Sequence, residues 1–251
     1  MDASAIALLF GGGVVAGIVN TLAGGGSMLT VPLLVMLGLP GTLANGTNRV
    51  GVLVQSLAAT WRFRRDGVDV LASALPVLLP VGVGALVGAL AVTQLADNVF
   101  ERAFGLVMLA VLWPTLRPPR PAPDANSGAN RDGWPGWLRM LVFFAIGVYG
   151  GSFQAGVGIA LLLALGRSGY DLVTANAIKV LVVAVLTAIA VPVFVAQSHV
   201  AWEPAFALAA GFGIGGAAGA RLAVRGGEAL IRPVLVISVI ALAARMLGFA
   251  S

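Results

Sequence analysis

Residues Gly17–Arg49 read GIVNTLAGGGSMLTVPLLVMLGLPGTLANGTNR, and this stretch decides the fold. A long apolar run stops at Asn20, and three glycines, Gly24, Gly25 and Gly26, follow it. A short apolar segment, Ser27 to Leu39, comes next. After a Pro-Gly turn another apolar run begins, carrying Asn45, Asn48 and Arg49 near its start. The arrangement returns in Gly147–Lys179, GVYGGSFQAGVGIALLLALGRSGYDLVTANAIK. Placing Gly17 on Gly147 also places Arg49 on Lys179, an offset of 130, while the glycine-rich breaks align better at 132. The two stretches are expected to face each other and to hold an anion between them.

Composition sets the medium. Hydrophobic residues make up 59% of the chain and charged residues 10%, where an ordinary soluble domain is about 25% charged. Several uncharged apolar runs approach the roughly 20 residues that a bilayer-spanning helix needs. Long runs predict helices, whereas a barrel would show short alternating segments. The chain has no cysteine and one histidine, His199, which excludes disulfides, thiolate metal sites and a His-based metal cluster. The net charge of +5 does not point to nucleic acid, because the arginines sit in short loops between apolar runs. Asp2 and the lack of a basic residue before the first run argue against a cleaved signal peptide, so the first helix is expected to be retained.

Ten apolar segments are expected, at 4–22, 27–39, 43–61, 70–92 and 97–116, then 137–153, 156–166, 171–196, 201–223 and 227–249. The fold class is therefore an all-α polytopic membrane protein. Residues 1–116 form a first repeat, 117–135 a polar cytoplasmic linker, and 136–251 a second repeat. Five segments per half is an odd number, so the repeats must be inverted. With the N-terminus outside, Arg62, Arg64, Arg65, Arg117, Arg120, Arg131, Arg139, Arg167, Arg221, Arg225 and Arg232 all fall inside. The loop Gln197–Glu203, which has no Lys or Arg, falls outside, as does the one carrying Asp97, Glu101 and Arg102. This is the asymmetry of the positive-inside rule, and it puts both termini outside. The same count holds if each short segment re-enters rather than crosses. Inverted repeats with broken helices are the combination found in secondary transporters.

Arg49 and Lys179 carry the strongest chemical signal. A charge inside an apolar segment costs about 2.5–3.5 kcal/mol on insertion scales and is usually functional; the alternative is that both side chains snorkel to the headgroups. Arg49 shares a helical face with Asn45 and Ser56, with Asn48 and Gln55 beside it, and Lys179 shares one with Asn176 and Thr187. The break Gly24, Gly25, Gly26 and Ser27 offers a helix N-terminus to an anion, with Ser27 as cap or ligand contact. Ser152, Gln154, Gly156 and Gly158 form the corresponding region of the second half. Close helix packing is the competing use of these glycines. It is the expected use of Gly82–Gly88 and Gly211–Gly219. Asn20 either contacts substrate or satisfies backbone groups freed by the break. No acidic residue lies deep in a span, which argues against a carboxylate proton relay, and positive groups with neutral donors favour an anionic substrate.

GIVNTLAGGGSMLTVPLL with ANGTNRVGVLVQSLAATWRF, and GGSFQAGVGIALLLAL with ANAIKVLVVAVLTAIA, resemble the TauE/SafE family of sulfite and organosulfonate permeases. The likeness covers the chain apart from the linker. It departs where AGVG replaces a fuller glycine run. The resemblance implies transport of sulfite, sulfoacetate or a related sulfur-containing anion across a bacterial cytoplasmic membrane, without a cofactor; export is the expected direction and uptake the alternative. The implied partners are the anion and the bilayer; a homo-oligomer is left open. An anion channel and a non-transporting scaffold are the rival readings. An enzyme is disfavoured, since no nucleophile–base pair, metal cluster or carboxylate dyad is legible.

Overall fold

The computed structural model describes residues 1–116, 135–168 and 170–246, with side chains described for 1–106, 135–168 and 170–226. The expected linker lies outside the described residues except for Pro135, which precedes a helix. The described residues are helical, with no strand among them. In order the helices are α1 (Ala3–Leu22), α2 (Ser27–Met36), α3 (Gly41–Arg65), α4 (Leu71–Val92), α5 (Asp97–Leu116), α6 (Gly136–Phe153), α7 (Val157–Arg167), α8 (Leu172–Ala196) and α9 (Trp202–Met246). Among the described residues five stretches are long and apolar enough to cross a membrane: α1, α4, α6, α8 and Trp202–Gly226 of α9. Large apolar side chains such as Leu79, Leu106, Trp137 and Phe206 point outward, as a lipid-facing surface requires.

Helix ends follow local chemistry. Asp2 caps α1 by accepting from the Ala5 amide at 2.9 Å, and Asp171 caps α8 by accepting from Val173 and Thr174, both at 3.0 Å. Partial burial works to raise the Asp171 carboxyl, but these hydrogen bonds outweigh it and hold the group below the ordinary carboxylate range. The second of the two short helices, α7, begins after Gly156 in the left-handed region, at φ +74°. The first break has its own left-handed glycine, Gly24, at φ +87°. These two positions correspond at the 132 offset, so the breaks share a backbone turn as well as a composition.

One expectation fails at the C-terminal end. The segments 201–223 and 227–249 are one continuous helix, α9, of 45 residues. Residues 224–226, expected to form a loop near Arg221, Arg225 and Arg232, continue the helix. Glycine costs only about 1 kcal/mol in a helix interior and does not by itself stop one. At 1.5 Å per residue α9 is about 67 Å long, well beyond the roughly 30 Å hydrocarbon core. The turn on which the outside placement of the C-terminus rested is absent. Elsewhere the expected boundaries hold to within a few residues, the largest difference being the last turn of α3, which takes in Arg62, Arg64 and Arg65.

The halves exchange helices. α1 packs on α9 of the second half, and α6 packs on α4 of the first. α3 also lies on α9, and α8 on α4, while α3 and α8 meet each other. Glycines at four-residue spacing make the closest crossings possible. Gly13 and Gly17 of α1 lie against the backbone around Gly211 and Gly215 of α9, and Gly147 and Gly151 of α6 lie against α4 where it carries Gly84 and Gly88. Lipid tails are as apolar as side chains, so such helices associate through close backbone packing. The packing use expected of the α4 and α9 glycines is the observed one.

The two breaks touch. A Cβ placed on Gly24 would lie 2.5 Å from the Gly158 Cα, and one placed on Gly158 would lie 2.5 Å from the Gly24 Cα. Gly38 has a similar left-handed conformation, φ +92°, but faces open space. Gly38→Ala is therefore expected to cost about 1–2 kcal/mol, the strain alone. Gly24→Ala adds overpacking against Gly158 and is expected to cost at least about 3 kcal/mol. Unfolding of the two purified variants in detergent checks this; equal losses would mean that the contact between the breaks does not constrain the fold.

Candidate functional site

Arg49 lies two turns into α3 and is 0% exposed. It reaches across to the end of α6. Nη1 donates to Gly150 O at 3.1 Å and Gln154 Oε1 at 2.9 Å; Nη2 donates to Gly151 O at 2.6 Å and Ser152 O at 3.0 Å. The Phe194 ring of α8 covers the guanidinium at 4.4 Å. Lys179, in the corresponding place on α8, is 1% exposed. Its Nζ donates to Asn20 O at 3.1 Å and Thr21 O at 2.7 Å, at the end of α1. Neither cation snorkels. Each is buried and holds the C-terminal carbonyls of a helix in the opposite half.

The physical logic is that of a helix ending without water. Its last carbonyls have no intrahelical partner and carry a partial negative charge, so a cation satisfies both needs. The planar five-donor fork of Arg49 suits several carbonyls at once, whereas Lys179 supplies a point charge to two. The ion pairs of the described residues are Met1 with Glu203, Arg62 with Asp66 and Arg64 with Asp69. The two buried cations thus have no carboxylate partner among the described residues.

Around them the expected residues come together as follows. Asn45 donates from Nδ2 to Ser152 O at 2.8 Å, sharing that carbonyl with Arg49. Gln154, itself at φ 62°, accepts from Arg49 and donates to Thr187 Oγ1 at 3.2 Å. Ser152 Oγ donates to Gly88 O at 3.1 Å and Val148 O at 2.9 Å, which ties it to helix packing. In the first half, Asn48 donates to Ser27 Oγ at 2.9 Å and accepts from Thr30 Oγ1 at 2.5 Å. Ser27 does not cap α2; Gly26 holds the N-cap position without a side-chain bond. Asn20 Oδ1 accepts from Gly26 N at 3.3 Å, a bond to the backbone of the break, and its Nδ2 donates to Gln55 Oε1 at 2.6 Å. Gly25 and Gly156 lie in the breaks themselves, and Gly158 brings α7 against the Lys179 stem. Asn176 is 0% exposed and neither of its amide atoms has a partner.

The sequence reading missed three contributors. Thr21 accepts from Gln55 Nε2 at 2.7 Å and lends its carbonyl to Lys179. Tyr149 donates its hydroxyl to Ala155 O across the second break. Phe194 covers Arg49. An aromatic in an apolar run looks like any core residue, and a carbonyl leaves no trace in side-chain identity. His199 sits in the turn after α8, where its carbonyl abuts Gly46.

A helical bundle of membrane-spanning length, with interrupted helices and buried cations at their breaks, belongs to a membrane transporter. Residues 9–246 match the family described as Sulfite exporter TauE/SafE, and the chain belongs to that family. A protein of Sinorhizobium sp, described as Probable membrane transporter protein ORF9, is 30% identical over 97% of this chain and 92% of its own length. A Probable membrane transporter protein of Haemophilus influenzae is 28% identical, covering 96% of this chain and 94% of that protein. The Probable membrane transporter protein YfcA of Escherichia coli K12 is also 28% identical, over 96% of this chain and 89% of its own length. No solved structure matches the chain.

Arg49→Lys keeps the charge but cannot span Gly150, Gly151, Ser152 and Gln154 together. It is expected to destabilise the protein by on the order of 3 kcal/mol, as several charge-assisted hydrogen bonds are lost from buried acceptors. Thermal unfolding in detergent measures this, and a melting temperature equal to the wild type would show that charge alone holds the end of α6.

Proposed function

We propose that the protein is a secondary transporter that exports a small sulfur-containing anion, such as sulfite or an organosulfonate like sulfoacetate, by alternating access. Two inverted halves would move against each other around the broken helices, in a bacterial cytoplasmic membrane with the N-terminus outside. The observation that carries this reading is the buried pair Arg49 and Lys179, which have no carboxylate partner among the described residues. Buried charge needs compensation, and a mobile anion supplies it. Family membership and the description of that family support the substrate class. The symmetric exchange of helices, α1 on α9 and α6 on α4, supports the repeat. The Asn side chains and the N-termini of α2 and α7 add neutral donors beside the cations.

Counterflow tests it. Proteoliposomes loaded with unlabelled sulfite are expected to accumulate labelled sulfite transiently above its equilibrium level, because a carrier exchanges and a channel does not. Arg49→Gln and Lys179→Gln are each expected to lower the initial rate by about tenfold or more. Rapid equilibration without overshoot would indicate a channel instead. Overshoot with a carboxylate such as acetate, and none with sulfite or sulfoacetate, would replace the substrate class.

A further inference from the structure

Most buried polar atoms around the breaks are engaged, and four are not: both amide atoms of Asn176, Oδ1 of Asn45 and Nε of Arg49. Asn176 stands out, because a fully buried amide with neither atom paired is rare and destabilising. It lies one helical turn before Lys179, on the same face of α8. Lys179 spends two of its three N–H groups on Asn20 and Thr21, which leaves one unspent. Arg49 likewise keeps one of its five N–H groups, Nε, after spending four on the end of α6. The two sides differ in their amides: both atoms of Asn176 are open beside Lys179, whereas Asn45 beside Arg49 has only its Oδ1 open.

The kind of valence left over narrows the ligand. The free Lys179 N–H and the Asn176 Nδ2 group are donors and suit the oxygens of an anion. Asn176 Oδ1 is an acceptor, and an anion built only of acceptor oxygens would set oxygen against oxygen there. Whichever way the amide is turned, one of its two atoms accepts. Asn45 repeats the pattern in the first half. Its Nδ2 must be the atom that faces Ser152 O, since a carbonyl only accepts, so the unpaired atom is again an acceptor.

We propose that the anion taken by this site carries a hydrogen-bond donor of its own, as bisulfite or a hydroxyalkyl sulfonate does, and that the Asn176 amide beside Lys179 reads that donor. The proposal rests on the transport reading above and narrows its substrate.

Two sulfonates of equal charge test it: 2-hydroxyethanesulfonate and ethanesulfonate, which differ by one hydroxyl. The purified full chain is titrated with each, and with sulfite, and binding is followed by the rise in melting temperature. The wild type is expected to bind the hydroxylated sulfonate about tenfold or more tightly, because the analogue leaves a buried acceptor unpaired. Asn176→Leu and Asn176→Ala are expected to bind both sulfonates alike. At least one of these variants should melt at or above the wild type without ligand, since it removes an unpaired amide. A wild type that does not distinguish the sulfonates overturns the proposal. So do variants that keep the preference, or two variants that both melt well below the wild type, which would make the amide a structural group. If sulfite binds while the hydroxyl goes unread, this proposal alone falls. If neither sulfite nor either sulfonate binds, the substrate class proposed above falls with it.

Discussion

An interrupted helix inside a bilayer leaves backbone carbonyls with no water to receive them, and the rest of this structure depends on how that need is met. In hydrocarbon an unsatisfied group costs several kcal/mol, so a break survives only where protein supplies the missing partners. Here α6 ends on Arg49 and α1 ends on Lys179. Each cation is carried by one half of the chain and serves the other. Six hydrogen bonds from two side chains thus cross between the halves at the level of the breaks. Neither half could hold its own interrupted helix alone, and this is a physical reason for the halves to exchange α1 and α6 rather than to stand side by side.

Close approach is the second constraint, and it follows from the first. A side chain can bridge to a carbonyl on another helix only if the two backbones come near. The glycines of α1, α4, α6 and α9 let them do so, since an added Cβ would run into facing backbone at Gly17, Gly88, Gly151 and Gly215. The same economy reaches its limit where Gly24 meets Gly158. The two breaks are in contact there, as the repetition of the Gly-rich stretch in the sequence led one to expect.

Much of this was legible before the structure. Arg49 and Lys179 stood out because charge in an apolar run is expensive, and glycine clusters marked both breaks. The spacing of polar residues along α3 and α8 placed Asn45 and Asn176 on the faces of the cations. What could not be read was the identity of the acceptors. Asn20, Thr21, Gly150 and Gly151 take part through their carbonyls, and every residue has one. The sequence allows Asn20 either substrate contact or backbone repair, and its bond from Gly26 N supplies the second. α9 misled for a related reason. Arg221, Arg225 and Arg232 suggest a loop at 224–226, yet nothing there forbids helix, and glycine propensity alone does not decide.

The helix ends also bear on what the cations leave uncompensated. A helix C-terminus carries roughly half a negative charge, and a helix N-terminus roughly half a positive one. The ends of α1 and α6 therefore offset about one of the two full charges on Arg49 and Lys179. The starts of α2 and α7, which follow the same breaks, return about that much positive charge. The region is left with an excess of about two positive charges by the same reckoning. No carboxylate among the described residues is within ion-pair reach of either cation. A neutral solute could satisfy the spare hydrogen bonds but not the excess charge. A dication would worsen it. The uncompensated charge supports the anion proposed above, and the unpaired amide oxygens of Asn45 and Asn176 support the hydrogen-bond donor proposed for it.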